Sequence, residues 1–139
     1  MSLSCLFFLI LPFAMIATLI LIQIKHCVID WIWQTPYEFK NKGTYLHFGG
    51  IQHAGKNAIG TGLCFVLGFW FSLSIPMILA VTALDFVIHY HIDFAKTNLN
   101  RIWKLECDKH EKYYWLLGLD QTLHQLTYLF LVIFVIVLI

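Results

Sequence analysis

Residues 57–94 read NAIGTGLCFVLGFWFSLSIPMILAVTALDFVIHYHIDF. Two apolar stretches, 57–71 and 75–94, flank the sequence Ser72-Leu73-Ser74-Ile75-Pro76. A serine with a proline just behind it marks a helix start. The hydroxyl caps free amides, and proline lacks an amide that the first turn would leave unpaired anyway. The stretch therefore predicts a helical hairpin of two membrane spans. The competing reading, one long buried helix, places Pro76 in the interior, where it removes a hydrogen bond and kinks the chain.

Outward from the hairpin, 5–24 and 120–139 are apolar as well. Crossing the hydrocarbon takes roughly 20 apolar residues. The stretches 5–24, 75–94 and 120–139 supply them, and the second span does so only if its helix starts near His53. The first helix is free to continue through Trp33, because the breaker Pro36 comes later. Its apolar run lacks a positively charged start and a small-x-small cleavage site, so it reads as a retained span. The chain is 60% hydrophobic and 12% charged, half the roughly 25% charged content of soluble domains. Together these features predict an all-α, polytopic membrane protein. One domain over 1–139 forms a bundle of four transmembrane helices, with the lipid bilayer as its principal partner.

Charge sets the direction. Lys25, Lys40, Lys42 and Lys56 fall between spans one and two, and Lys96, Arg101, Lys104, Lys109 and Lys112 between spans three and four. Neither the hairpin turn nor the termini carry a basic residue. Cytoplasmic loops are enriched in Lys and Arg, so both termini are expected outside and both long loops inside. Trp31, Trp33 and Tyr37, with Trp103, Tyr113, Tyr114 and Trp115, flank the same face as an aromatic belt. The segment 98–118 mixes charges with Ile102, Trp103 and Leu105, and reads either as an interfacial helix or as a solvated loop helix. Cys5, Cys27, Cys64 and Cys107 are scattered without a CxxC pair, so neither a disulfide framework nor a thiolate metal site is expected. A net charge of +1 without a basic stripe gives no expectation of nucleic acid as a partner.

Ionisable groups are expensive inside a bilayer, yet this chain collects them at its span ends. His26, Asp30 and Gln34 close span one, and His53 and Asn57 open span two. Asp85, His89, Asp93 and Lys96 line span three, and Asp120, Gln121 and His124 open span four. His26/Asp30, Asp85/His89, His89/Asp93 and Asp120/His124 are each four residues apart, on one helix face. Random placement gives roughly 0.5 such pairs. The expected topology brings all these ends to one side of the membrane. Asp85 lies about 12 Å along the helix from Asp93, nearer mid-membrane. Imidazole with carboxylate suits zinc, manganese or iron, and the ligand supply suffices for one or two ions. Simpler readings stand beside this one. His53/Asn57 serve equally as a helix-to-helix hydrogen bond, His26/Asp30 as a surface pair, and Asp120 as a helix cap. His47 with Gly49-Gly50 reads as a loop, and Glu106/His110 as a solvated pair. Lys25, Lys56, Lys96 and Arg101 read as interface anchors and topology determinants, or as binders of a phosphate head group.

The order His26-x3-Asp30-x3-Gln34, His53, Asp85-x3-His89-x3-Asp93-x2-Lys96 and Asp120-Gln121-x2-His124 resembles the domain-of-unknown-function family three-three-zero-seven, small integral membrane proteins of bacteria and phage. The resemblance covers the chain from about residue 21 onward and implies a bacterial inner-membrane location. A looser analogy links it to the predicted membrane-bound metal-dependent hydrolases. Asn57 departs from the pattern, where a second His is expected.

Three functions fit. The first is a metal-dependent hydrolase acting on a phosphate or acyl ester of a lipid-linked substrate. His26, Asp30, His89, Asp93 and His124 are its expected metal ligands, Asp120 and Asp85 its base or orienting groups, and Lys96 faces the anionic substrate. The second is ion or metal transport through a homo-oligomer, which Asp85 near mid-membrane favours. The third is a non-enzymatic membrane interaction protein whose polar groups hold its helices together.

Overall fold

The computed structural model describes residues 3–70 and 73–139, with side chains from Leu9 onward. It is all-helical, with no strand among the described residues. Helix α1 (Leu3–His26) carries Pro12 inside it and widens into a π-helical turn, Cys27–Ile32. That turn closes where Trp33 N donates to Val28 O at 2.8 Å. The expected continuation towards Trp33 is observed as far as Ile32, with Trp33 as its cap, in the wider form that recurs at functional sites.

Helix α2 (Pro36–Asn41) starts with a reciprocal cap. Glu38 N donates to Thr35 Oγ1 at 3.3 Å, and Thr35 N to Glu38 Oε2 at 2.8 Å. Helix α3 (Phe48–Phe69) is capped by His47, whose Nδ1 accepts from Gly49 N at 3.1 Å. Helix α4 (Ile75–Ile102) starts as the serine–proline signal predicts, with Ser74 Oγ accepting from Met77 N at 3.4 Å. Ser72, the other end of that turn, lies outside the described residues. Helix α5 spans Glu111–Leu138.

Helix α3 packs against α1, α2 and α4, and α5 closes the bundle against α1 and α4. Towards the hairpin end the core is apolar: Ile22, Phe65, Phe69, Val81, Leu131 and Val135 are all buried. The polar groups occupy the opposite end. Outward faces are apolar too, as at Phe13, Ile20, Leu79, Leu126 and Val137, a distribution that suits lipid rather than water as the surrounding solvent.

Three segments are long and apolar enough to cross a membrane: Leu9–Ile32, Ile75–Ile102 and Glu111–Leu138. They mark the chain as an integral membrane protein. Helix α3 falls outside that set because Gln52, His53, Lys56 and Asn57 occupy its first half. It is the inner helix, with 11 of its 22 residues buried. Two glycines let it approach its neighbours closely. A Cβ on Gly68 would lie 2.9 Å from Thr18 Cβ of α1, and one on Gly62 would collide with Thr82 Oγ1 of α4.

The segment 98–118 forms no separate interfacial helix, which corrects that expectation. Its first residues end α4 and its last begin α5. Between them Leu105 N donates to Asn100 O at 2.9 Å, and Lys104 adopts a left-handed φ of 50°. This is the hydrogen-bonded closure that terminates helices. Trp31, Trp33, Tyr37, Trp103, Tyr114 and Trp115 are exposed around this end of the bundle.

Candidate metal centre

The π-helical turn, α3, α4 and α5 each aim polar side chains into the same end of the bundle. Their convergence is tight. His53 Nε2 lies 3.1 Å from Asp30 Oδ1 and 3.1 Å from Asp93 Oδ2. His89 Nε2 lies 3.5 Å from each of the same two oxygens. The two imidazole nitrogens are 3.4 Å apart. Four atoms from three helical elements thus cluster, with five mutual separations of 3.1–3.5 Å. Zinc–ligand bonds of about 2.0–2.2 Å put tetrahedral ligands about 3.3–3.6 Å apart. The observed separations, 3.1–3.5 Å, overlap that range, and His53, His89 and Asp93 offer ligand atoms close enough to share one ion.

Hydrogen bonding alone accounts poorly for the cluster. Asp93 Oδ2 is buried and close to two imidazoles, yet it makes no directed hydrogen bond, and His89 Nδ1 is also unpartnered. Orphaned buried polar atoms are costly, and coordination of an ion supplies what these atoms lack. The flanking groups suit this role. The Gln34 amide lies 3.2 Å from His53 Nδ1. The same amide nitrogen lies 3.1 Å from His53 Nε2, so Gln34 contacts the ring edge between its two nitrogens. Asn57 Nδ2 donates to Asp30 Oδ1 at 2.7 Å, and Lys42 Nζ donates to Asp93 Oδ1 at 2.8 Å.

A second ligand group adjoins the first. Asp93, Asp120 and His124 offer ligand atoms within 4.8 Å of one another, and so do Asp30, His89 and His124. His124 Nδ1 donates to the Asp120 backbone carbonyl at 2.9 Å, which leaves Nε2 as the lone-pair nitrogen. Both that Nε2 and Asp120 Oδ1 are buried without a partner. Asp120 Oδ2 accepts from Gln121 Nε2 at 3.1 Å and lies 3.9 Å from Lys96 Nζ.

Of the residues the sequence singled out, Asp30, His89, Asp93, His124 and Asp120 meet at this centre. His26 stands beside it, its ring 5.1 Å from that of His124. Both its nitrogens are engaged, Nε2 with Gln121 Oε1 at 3.0 Å and Nδ1 with the Tyr128 hydroxyl at 2.7 Å. Asp85 belongs to a deeper layer, where it accepts from Thr61 Oγ1 at 2.7 Å and lies 3.9 Å from Lys25 Nζ. Lys25 is buried and also reaches Asn57 Oδ1 and the Tyr128 hydroxyl, each at 3.3 Å. The interface-anchor reading of Lys25 is thereby corrected: its ammonium neutralises Asp85 inside the bundle. His53, left open between a ligand and a helix-to-helix bond, lies within 3.4 Å of ligand atoms of Asp30, Asp93 and His89. Gln34, expected at the end of span one with His26 and Asp30, joins the site, and so does Lys42, whose surroundings in the sequence gave no sign of it.

An open cleft of about 410 Å³ leads to the centre from the loop end, between Trp31, Phe39 and Tyr113, with Asp30, Asp120, Lys42 and Lys96 in its lining. Beneath α2, Glu38 is fully buried and pairs with Lys56 at 2.8 Å. Burial pushes the Glu38 carboxyl upward, but the Lys56 hydrogen bond and the Thr35 cap outweigh it and hold it below the usual glutamate value. The pair ties α2, one wall of the cleft, to α3. Comparison of the chain with protein-family models, curated proteins and solved structures gave no match.

Proposed function

We propose that this protein is a membrane-embedded, metal-dependent hydrolase that cleaves a phosphate or acyl ester of a lipid at the cytoplasmic face of the bacterial inner membrane. The observation that carries the reading is the cluster of His53, His89, Asp30 and Asp93, with five ligand-atom separations of 3.1–3.5 Å and orphaned ligand atoms of Asp120 and His124 beside it. Membership of the family that the sequence resembles is part of the proposal. So is a four-span topology with both termini outside. Helix α3, shielded by α1 and α4, need not be as apolar as a helix bathed in lipid. The distribution of Lys and Arg supports the orientation.

His53, His89, Asp30 and Asp93 would hold one zinc, manganese or iron ion, and Asp120 and His124, sharing Asp93, a second. A divalent ion there supplies Lewis-acid polarisation of an ester oxygen and makes water more acidic. The chain's own groups do the rest. Lys96 in the cleft attracts an anionic head group, while Lys42 is held by Asp93. Asp120 Oδ1, free of hydrogen bonds, would accept a proton from attacking water where one ion is bound and serve as a ligand where two are. Asp85, engaged by Thr61 and Lys25, holds the bundle rather than touching substrate. An ion path through the bundle fits less well, because Phe65, Val81, Tyr128 and Leu131 close it beyond Asp85.

The test is hydrolysis of phosphatidic acid and diacylglycerol esters by purified protein in detergent, stripped with chelator or reloaded with zinc or manganese. The reading requires activity that depends on metal and falls at least a hundredfold in Asp120→Asn, within the range of a lost general base. Identical behaviour of stripped and loaded protein on every ester would refute it.

A further inference from the structure

Between α4 and α5, on the outer face of the bundle, runs an apolar groove of about 430 Å³. Val87, Ala95, Leu119 and Leu123 are among its walls. Lys96 and Asp120 line both this groove and the polar cleft, so the two meet at the edge of the metal centre. A volume of this size is in the range of small-ligand sites.

Resting on the hydrolase reading above, we propose that this groove holds an acyl chain of a phospholipid with an anionic phosphate head, entering sideways from the inner leaflet. Three observations carry this. The groove lies on two of the helices that are apolar enough to cross a membrane, so hydrocarbon is its natural surrounding. From Lys96 to Val87 the helix advances about 13 Å, close to the half-thickness of a roughly 30 Å hydrocarbon core. At the groove's upper end stands Lys96, which lines both the apolar groove and the polar cleft. This is the sequence of chemistries along a phospholipid, from chain to phosphate. A soluble phosphate ester would use the cleft and leave the groove without purpose.

The experiment uses the full chain in phosphatidylcholine vesicles containing phosphatidic acid with a photoactivatable diazirine in one acyl chain. Peptide mapping locates the adducts. The proposal expects labelling concentrated on 87–99 and 116–123, and competition by unlabelled phosphatidic acid. Leu123→Trp or Ala95→Phe, which fill the groove, should reduce it roughly tenfold, as two methylenes of lost apolar burial would. Metal content should stay the same. Labelling spread evenly over the other lipid-facing residues, such as Phe13 and Ile20, would overturn the proposal. So would adducts between two copies of the chain through this seam, since a second copy would then be the occupant. Groove labelling without hydrolysis of any ester would uphold the groove and sink the hydrolase reading. Metal-dependent hydrolysis of a short soluble ester with an unlabelled groove would do the reverse.

Discussion

Lys42→Met separates a structural ion pair from a metal centre. The Lys42 ammonium lies 2.8 Å from Asp93 Oδ1, with the two side chains 8% and 4% exposed. Methionine keeps the length and apolar stem but removes the charge. In protein stripped of metal, Asp93 is then a buried carboxylate without its cation, and breaking such a pair costs about 3–5 kcal/mol. A divalent ion at Asp93 Oδ2 changes the balance, because it and the ammonium compete for one carboxylate. Metal present at about 100 times its Kd should stabilise the wild type by about 2.7 kcal/mol. In Lys42→Met the same addition should stabilise by at least about 1.4 kcal/mol more, a tenfold gain in affinity. The assay is thermal unfolding in detergent, with chelator and with zinc. Equal metal-induced stabilisation in both proteins would refute the coupling. A loss under about 1 kcal/mol in stripped protein would show that the pair is not held as the structure has it.

Two further perturbations test the scaffold. Glu38 has its folded pKa below the usual 4.5, so the unfolded chain binds its proton first on acidification. Its pairing therefore contributes fully at neutral pH, and that contribution is lost as pH falls from about 4.5 through the lower folded value. Glu38→Gln should be less stable at pH 7 and lose less stability than wild type on titration through that window; parallel curves would rule the argument out. Gly68→Ala pushes a methyl group against Thr18, 2.9 Å from its Cβ and 3.0 Å from its Cα, and should cost about 1–3 kcal/mol. Gly55→Ala meets nothing within 4 Å and should be neutral or stabilising in the same melts. Equal effects at the two glycines would contradict the close α1–α3 approach.

The i, i+4 spacing of His and Asp was enough to find Asp30, His89, Asp93, Asp120 and His124, because a helix turns that spacing into a shared face. Apolar run length was enough to find α1, α4 and α5. What stayed hidden depended on neighbours distant in sequence. His53 and Asn57 form the same kind of pair, but half of it is an amide, and only packing against α1 and α4 makes His53 central. Lys42 and Lys25 look like the other loop cations, and nothing local distinguishes a lysine that turns inward. His26 carries the same spacing signal as the ligands, yet Tyr128 and Gln121 occupy its ring. The reciprocal cap of α2 was missed, with Pro36 read only as a breaker, although Thr35-Pro36-Tyr37-Glu38 is a capping-box pattern with proline at the first helical position. The 98–118 segment misled because apolar residues among charges suit an interfacial helix, whereas here they end one helix and begin another.

The central claim is that His53, His89, Asp30 and Asp93 form a metal site, and metal content tests it most directly. Elemental analysis of protein purified in detergent, reloaded and freed of excess ion, should give one or two equivalents of zinc, manganese or iron. His53→Ala and Asp93→Asn, each still folded, should lose at least one equivalent, while His26→Ala, whose ring is already hydrogen-bonded at both nitrogens, should retain it. Wild-type protein that holds no metal after reloading, or a His53→Ala variant that holds as much as wild type, would contradict the account and leave a hydrogen-bonded polar core in its place.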